Sequence, residues 1–161
     1  MIPEQAVDVW RRGAESLLDC LLLQPAHDGD AAMQCMWHAV QALHGIAEHA
    51  FMREAVAGHE YAQEGGGGST MKALRYCLRH ADEELTVEIS LLYRMLARQG
   101  GLKELVDILM EGRDSEVCLR NCARVLQSLC SKLEVKAEVC KLTKMPADQI
   151  GRWTSRFIYG F

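Results

Sequence analysis

Apolar positions recur every three to four residues along nearly the whole chain, the period of helices that each bury one face. Between residues 4 and 24, Val7, Trp10, Ala14, Leu17, Leu18, Leu21 and Leu22 share one stripe, and Gln24-Pro25 predicts its end. "PAHDGD" (25–30) reads as a loop, from which Asp28 or Asp30 caps a helix over 31–49. That helix lines up Met33, Met36, Trp37, Val40, Leu43 and Ala47. A short segment, 50–62, contains "REAV". After a glycine run, Met71, Leu74, Tyr76, Cys77 and Leu78 predict a short helix, and Leu85, Ile89, Leu92 and Leu96 a longer one. Gly100-Gly101 stops it, because glycine adopts the left-handed conformation at a helix C-terminus. Leu102, Leu105, Val106 and Leu109 mark the next short helix, ended by Gly112, and Asp114 or Ser115 caps another over 116–130. Further helices are predicted near 133–143 and 147–158, parted at Met145-Pro146. The chain reads as all-α.

Laid side by side, the segments repeat. "GGLKELVDILMEGRDSEVCLRNCARVLQSLC" (100–130) runs Gly-Gly, short helix, acid-capped turn, long helix, and "GGSTMKALRYCLRHADEELTVEISLLYRMLA" (67–97) has the same layout. Residues 13–47 repeat it once more. Such a period marks stacked helical units, each burying its apolar face on its neighbours. Residues 100–130 resemble an armadillo repeat, whose second helix follows a Gly-Gly and whose third follows an Asp-capped turn. "FMREAV" (51–56) is similar to the first helix of such a unit. The resemblance extends over 13–130 and implies a short α-solenoid of about three repeats in one domain spanning 1–161.

Gly65–Gly68 admits two readings. An armadillo unit places a Gly-rich turn between "REAV" and "MKALRYCL", so a natural enlarged turn at 65–70 explains the position. A joining linker of the "GGGGS" type, with Met71 soon after it, explains the letters.

Composition supports helices: Leu, Ala, Glu, Arg and Met abound and there are three prolines, while 49% hydrophobic and 25% charged residues are those of a soluble domain. The net charge of −4 is uneven. Residues 1–64 carry ten acidic and three basic side chains, residues 71–161 twelve and fifteen. That balance lacks the dense basic stripe of a nucleic-acid binder. The start, with Pro3, Glu4 and Asp8, has no signal-peptide character, and no apolar run approaches the ~20 residues that cross a bilayer. Seven cysteines, most at apolar helix positions, point to reduced thiols in the cytoplasm or the nucleus.

Candidate chemistry is thin. Cys118 and Cys122 share a narrow stripe with Val125 and Leu129, with Cys130 at its edge, so these thiols and Cys140 read as small core side chains rather than zinc ligands. Cys35 and His38 are one turn apart, but His44 and His49 leave their face, so no metal is expected. No nucleophile elbow, phosphate loop or zincin motif occurs, Glu83-Glu84 sit where a helix start favours acids, and no cofactor is implied.

What is left are polar and aromatic residues suited to a partner. Arg120 and Arg124 stand opposite the cysteine stripe, flanked by Asn121 and Gln127, and Arg94 and Arg98 hold the same angle on the helix before. The armadillo resemblance puts third helices along a concave groove and these arginines inside it. That groove would take an acidic or extended protein segment. The Trp and Asn that often mark the family's groove are replaced by Arg124 and Ser128 here, and by Gln41 and Gly45 in the first unit, which argues against a nuclear-signal receptor. The tail 147–161, with Trp153, Phe157, Tyr159 and Phe161, reads either as a cap on the last repeat or as an anchor for a partner. A non-enzymatic scaffold or adaptor is the expected class. The alternative is a structural or self-associating subunit whose groove is filled by its own tail or a second copy.

Overall fold

The computed structural model describes residues 3–22, 25–63 and 66–160, with the side chains of all but 25–29, 62–63 and 66–67. Among these residues, helices dominate: α1 (Pro3–Asp19), α2 (Pro25–Ala47), α3 (Ala50–Ala57), α4 (Thr70–His80), α5 (Glu83–Leu96), α6 (Gly101–Glu111), α7 (Glu116–Leu129), α8 (Leu133–Thr143) and α9 (Ala147–Tyr159). Short 3-10 turns close α1 (Cys20–Leu22) and α5 (Ala97–Gln99). The predicted stripes became the core. Leu85, Ile89, Leu92 and Leu96 of α5 and Cys118, Cys122, Val125 and Leu129 of α7 are all buried, as are Trp10, Ala14 and Leu18 of α1.

The long helices pack in sequence, α2 on α5, α5 on α7 and α7 on α9. On one side of this row α4 and α6 both lie against α7, and α8 lies against α6 and α9. At the other end α1 and α3 pack on each other, and α3 also touches α2 and α5. Helices α8 and α9 thus form a further short-then-long pair, and α9 covers α7 as α7 covers α5.

Two boundaries differ from the expectations. The "PAHDGD" stretch is the first turn and a half of α2 rather than a loop. Proline suits a first helical position, where its fixed φ is helical and its missing N–H leaves no bond unmade. The glycine run is the second difference. Gly66–Ser69 forms strand β2, paired antiparallel with β1 (Glu60–Gln63), so the all-α reading misses a small hairpin. Glycines rarely make strands, since they carry no side chain to pack, and the hairpin is fastened at its base instead. Thr70 N–H donates to the His59 carbonyl (3.2 Å), and Tyr61 stacks on His59, whose ring meets Trp10 edge-on at 5.4 Å. Ser69 then caps α4, its hydroxyl accepting from Lys72 N–H. Part of the expected 65–70 turn, Gly65, lies outside the described residues.

Caps fall close to where they were read. Asp82, one residue before Glu83-Glu84, caps α5 by accepting from Leu85 N–H (2.8 Å), and Ser115 caps α7 by accepting from Cys118 N–H (3.2 Å). Asp114 has another task. Its carboxylate accepts from Arg75 (2.8 Å) and Arg79 (2.9 Å) of α4 and from Ser115 N–H (2.7 Å), with its side chain only 3% exposed. Burial alone would disfavour the charge, but the bonds from Arg79, Arg75 and Ser115 outweigh it and hold the carboxyl well below its ordinary range.

Gly100 and Gly101 are required separately. Gly100 has φ +97°, the left-handed region, while a Cβ on Gly101 would stand 2.8 Å from the Leu96 carbonyl oxygen and 3.2 Å from the Tyr93 ring. The α5–α6 corner closes only around a hydrogen atom.

Two expected outcomes follow from these contacts. Gly101→Ala forces backbone apart and should lower stability by about 1–3 kcal/mol in urea unfolding, whereas an unchanged midpoint would mean that the corner opens freely. Because the folded carboxyl of Asp114 titrates below its unfolded value of 3.8, its stabilisation is present above about pH 4 and fades as pH falls further. Asp114→Asn should therefore cost about 1–3 kcal/mol at pH 7 and less at pH 3. An equal loss at both pH values would contradict the pairing.

Candidate functional site

The C-terminal turn of α5, the start of α6, the end of α7 and one face of α8 line a cleft of about 690 Å³. Arg94 and Arg98 line it, one helical turn apart, together with Arg53 of α3, Lys103 of α6 and Lys132 just before α8. Glu134 and Glu138 face it from α8. Local folding fixes each wall. Arg53 is held by its donation to the carbonyls of Ala47 (2.7 Å) and Glu48 (3.2 Å) at the end of α2. Lys103 pairs with Asp107 at 2.7 Å, one turn along α6. Arg94 is half-buried, and its Nε is shut off from solvent without a protein acceptor. Arg98 is exposed.

Helix α6 opens onto the same cleft. Its first turn follows left-handed Gly100, carries no side-chain cap and holds one carboxylate, Glu104, so the positive end of its dipole lies at the edge of the cleft.

The four arginines read from the sequence do not share this place. Arg120 is half-buried and Arg124 exposed on α7, and neither lines the cleft. Asn121 is 3% exposed. Its side-chain amide donates to the carbonyls of Leu78 (2.9 Å) and Ala81 (3.1 Å), satisfying the C-terminus of α4 and binding α7 to it. That assignment to a partner is corrected: the amide serves the fold. Gln127 is likewise engaged, donating to the hydroxyls of Thr154 (2.9 Å) and Ser155 (3.1 Å) on α9. Trp153 and Phe157 are half-buried against the core and meet edge-to-face at 6.1 Å. The exposed aromatic of α9 is Tyr159, 84% exposed, and Phe161 lies outside the described residues.

Arg53 and Lys132 were missed by sequence reasoning. Arg53 lies within α3 and Lys132 just before α8, and nothing in periodicity says that these two segments converge.

The cysteines are placed as small core side chains, with one exception. Cys77, Cys118 and Cys122 are fully buried, the last two with sulfurs 4.0 Å apart, while Cys130 is half-buried. Burial pushes Cys77 up to about 12 and Cys130 to about 11, and the contact with Cys118, then burial, drives Cys122 well above its ordinary value. Among the described residues no three His, Cys, Asp or Glu side chains are grouped as metal ligands, and no helix is long and apolar enough to cross a membrane. Comparison with protein-family models, with curated proteins and with solved structures finds no match to this chain.

Exposed Cys35 should react first with a thiol reagent in the native protein, and Cys77, Cys118 and Cys122 only on unfolding, since the reactive species is the thiolate. Peptide mapping after brief labelling reads this directly; early modification of Cys118 or Cys122 would show that α7 is not sealed.

Proposed function

We propose that this chain is a non-enzymatic helical-repeat domain of armadillo-like architecture, acting as a protein-binding scaffold that docks an acidic segment along the row of long helices. The observation that carries the reading is that Arg120 and Arg124 stand one turn apart on α7, an inner member of the row, with no carboxylate paired to them among the described residues. Guanidinium groups so placed offer bidentate donors to carboxylates of an extended chain. The repeated short-then-long helix pairs, of which α4–α5, α6–α7 and α8–α9 are examples, support the solenoid part of the proposal. Seven free thiols suit a reducing compartment, the cytoplasm or the nucleus.

A second reading rests on α9. Its hydroxyls hold Gln127, and Trp153 and Phe157 pack inward, so the tail already occupies one flank of α7. On that reading the chain is a structural subunit and needs no free peptide.

A glutamate-rich fluorescent peptide separates the two. With Arg120→Glu and Arg124→Glu together, binding by anisotropy should weaken about tenfold or more, and Arg124→Glu alone, at the exposed position, should barely move melting, because exposed charges add little to stability. Binding should also fall as salt rises. No binding by the parent chain, or equal binding by the double variant, would leave the structural-subunit reading in its place.

A further inference from the structure

We infer that the cleft between the α5–α6 corner and α8 is a binding site for a single phosphate group. It retains Arg94 and Arg98 from the four arginines first read as one groove. It does not depend on docking along α7, because neither Arg120 nor Arg124 reaches it.

Charge is the first reason. Arg53, Arg94, Arg98 and Lys132 line the cleft, and none of them forms an ion pair among the described residues, whereas Lys103 is already matched by Asp107. Like charges gathered around a concave space raise the local concentration of anions. Polar bookkeeping is the second. The Nε of Arg94 is buried and donates to no protein group, although native proteins rarely leave a buried donor unmatched. That Nε is closed to solvent as the side chain stands, so a turn of Arg94 toward Arg98 is what brings it to an anion oxygen that supplies the missing acceptor. Backbone geometry is the third. Gly100 and Leu102 belong to the lining, and the uncapped first turn of the 11-residue helix α6 begins between them. A helix N-terminus beside arginines is a natural seat for an oxyanion.

These features favour phosphate over carboxylate. A phosphate monoester brings nearly two charges and three acceptor oxygens, enough for two guanidinium groups and the helix end together. Glu134 and Glu138 decide the other limit. They stand on the opposite wall, so a second phosphate would meet carboxylates, and a nucleic-acid strand or polyphosphate is disfavoured. At about 690 Å³ the space exceeds one phosphate, leaving room for what carries it: a phosphorylated side chain of a protein segment, or a small phosphorylated molecule.

The test uses the full chain and four probes: inorganic phosphate, a short phosphoserine peptide, the same peptide with serine, and adenosine monophosphate. Phosphate should give saturable amide shifts at Gly101 and Leu102 in NMR titration. Arg94→Gln with Arg98→Gln should weaken binding about tenfold or more, while Arg152→Gln with Arg156→Gln, exposed on α9 and outside the cleft, leaves it unchanged. Should the Arg94 variant fold poorly, Arg98→Gln alone reads the same loss from an exposed position. Glu134→Gln with Glu138→Gln should tighten binding. Stronger binding of the phosphopeptide than of phosphate assigns the carrier to protein, and stronger binding of the nucleotide assigns it to a small molecule. The proposal is overturned if no probe saturates, if the serine peptide matches the phosphoserine peptide, or if the α9 variant loses as much as the α5 variant.

Discussion

Crowding around α7 is the constraint on which the rest of this structure depends. Four helices, α4, α5, α6 and α9, press on those 14 residues. Where they do, α7 presents Cys118, Cys122 and Ala123, side chains small enough to let neighbouring backbones come near, and Val125, Leu126 and Leu129 where the space widens. Interiors packed to the density of organic crystals leave no slack for larger groups. The same closeness brings Asn121 within hydrogen-bond reach of two carbonyls at the end of α4. A separate closeness, between α5 and the start of α6, sets the corner there, which closes only because Gly101 has no Cβ.

Around that centre, polar contacts decide register more than they add stability. Asp114, Asn121 and Gln127 each join elements far apart in the chain: α4 to the α6–α7 turn, α4 to α7, and α7 to α9. Each is buried or half-buried, and a slip of either partner would strand a carboxylate or an amide without its bonds, which costs more than the contact itself contributes. Apolar faces alone would tolerate such a slip. The clamps are therefore what makes one arrangement of the stack preferable to its neighbours.

This division explains which features could be read from letters. Helix stripes follow from a local period, so the apolar stripes of α1, α5, α6 and α7 were legible, and so were the two glycines at residues 100 and 101. Pro25 was misread because proline near acidic residues and a glycine suits a loop and a helix start equally. The β hairpin escaped because its strand letters are glycines, and its anchor, the Trp10–His59–Tyr61 contact, joins residues 51 positions apart. Asn121 and Gln127 read as partner contacts, and Trp153 and Phe157 as either a cap or an anchor, for one reason: a polar or aromatic residue on a helix flank looks alike whether solvent, a ligand or another helix of the same chain lies beyond it. The cleft at the α5–α6 corner was half legible. Arg94 and Arg98 follow from spacing, but Arg53 and Lys132 join them only through the fold.

Sequential packing along α2, α5, α7 and α9 has a kinetic consequence. When each long helix rests mainly on the one before it, most stabilising contacts close loops of a few tens of residues, and short loops cost the least entropy to close. Folding can then start at any adjacent pair of these helices and spread in either direction. On an emerging chain, each helix pair can settle on the last before the next is synthesised.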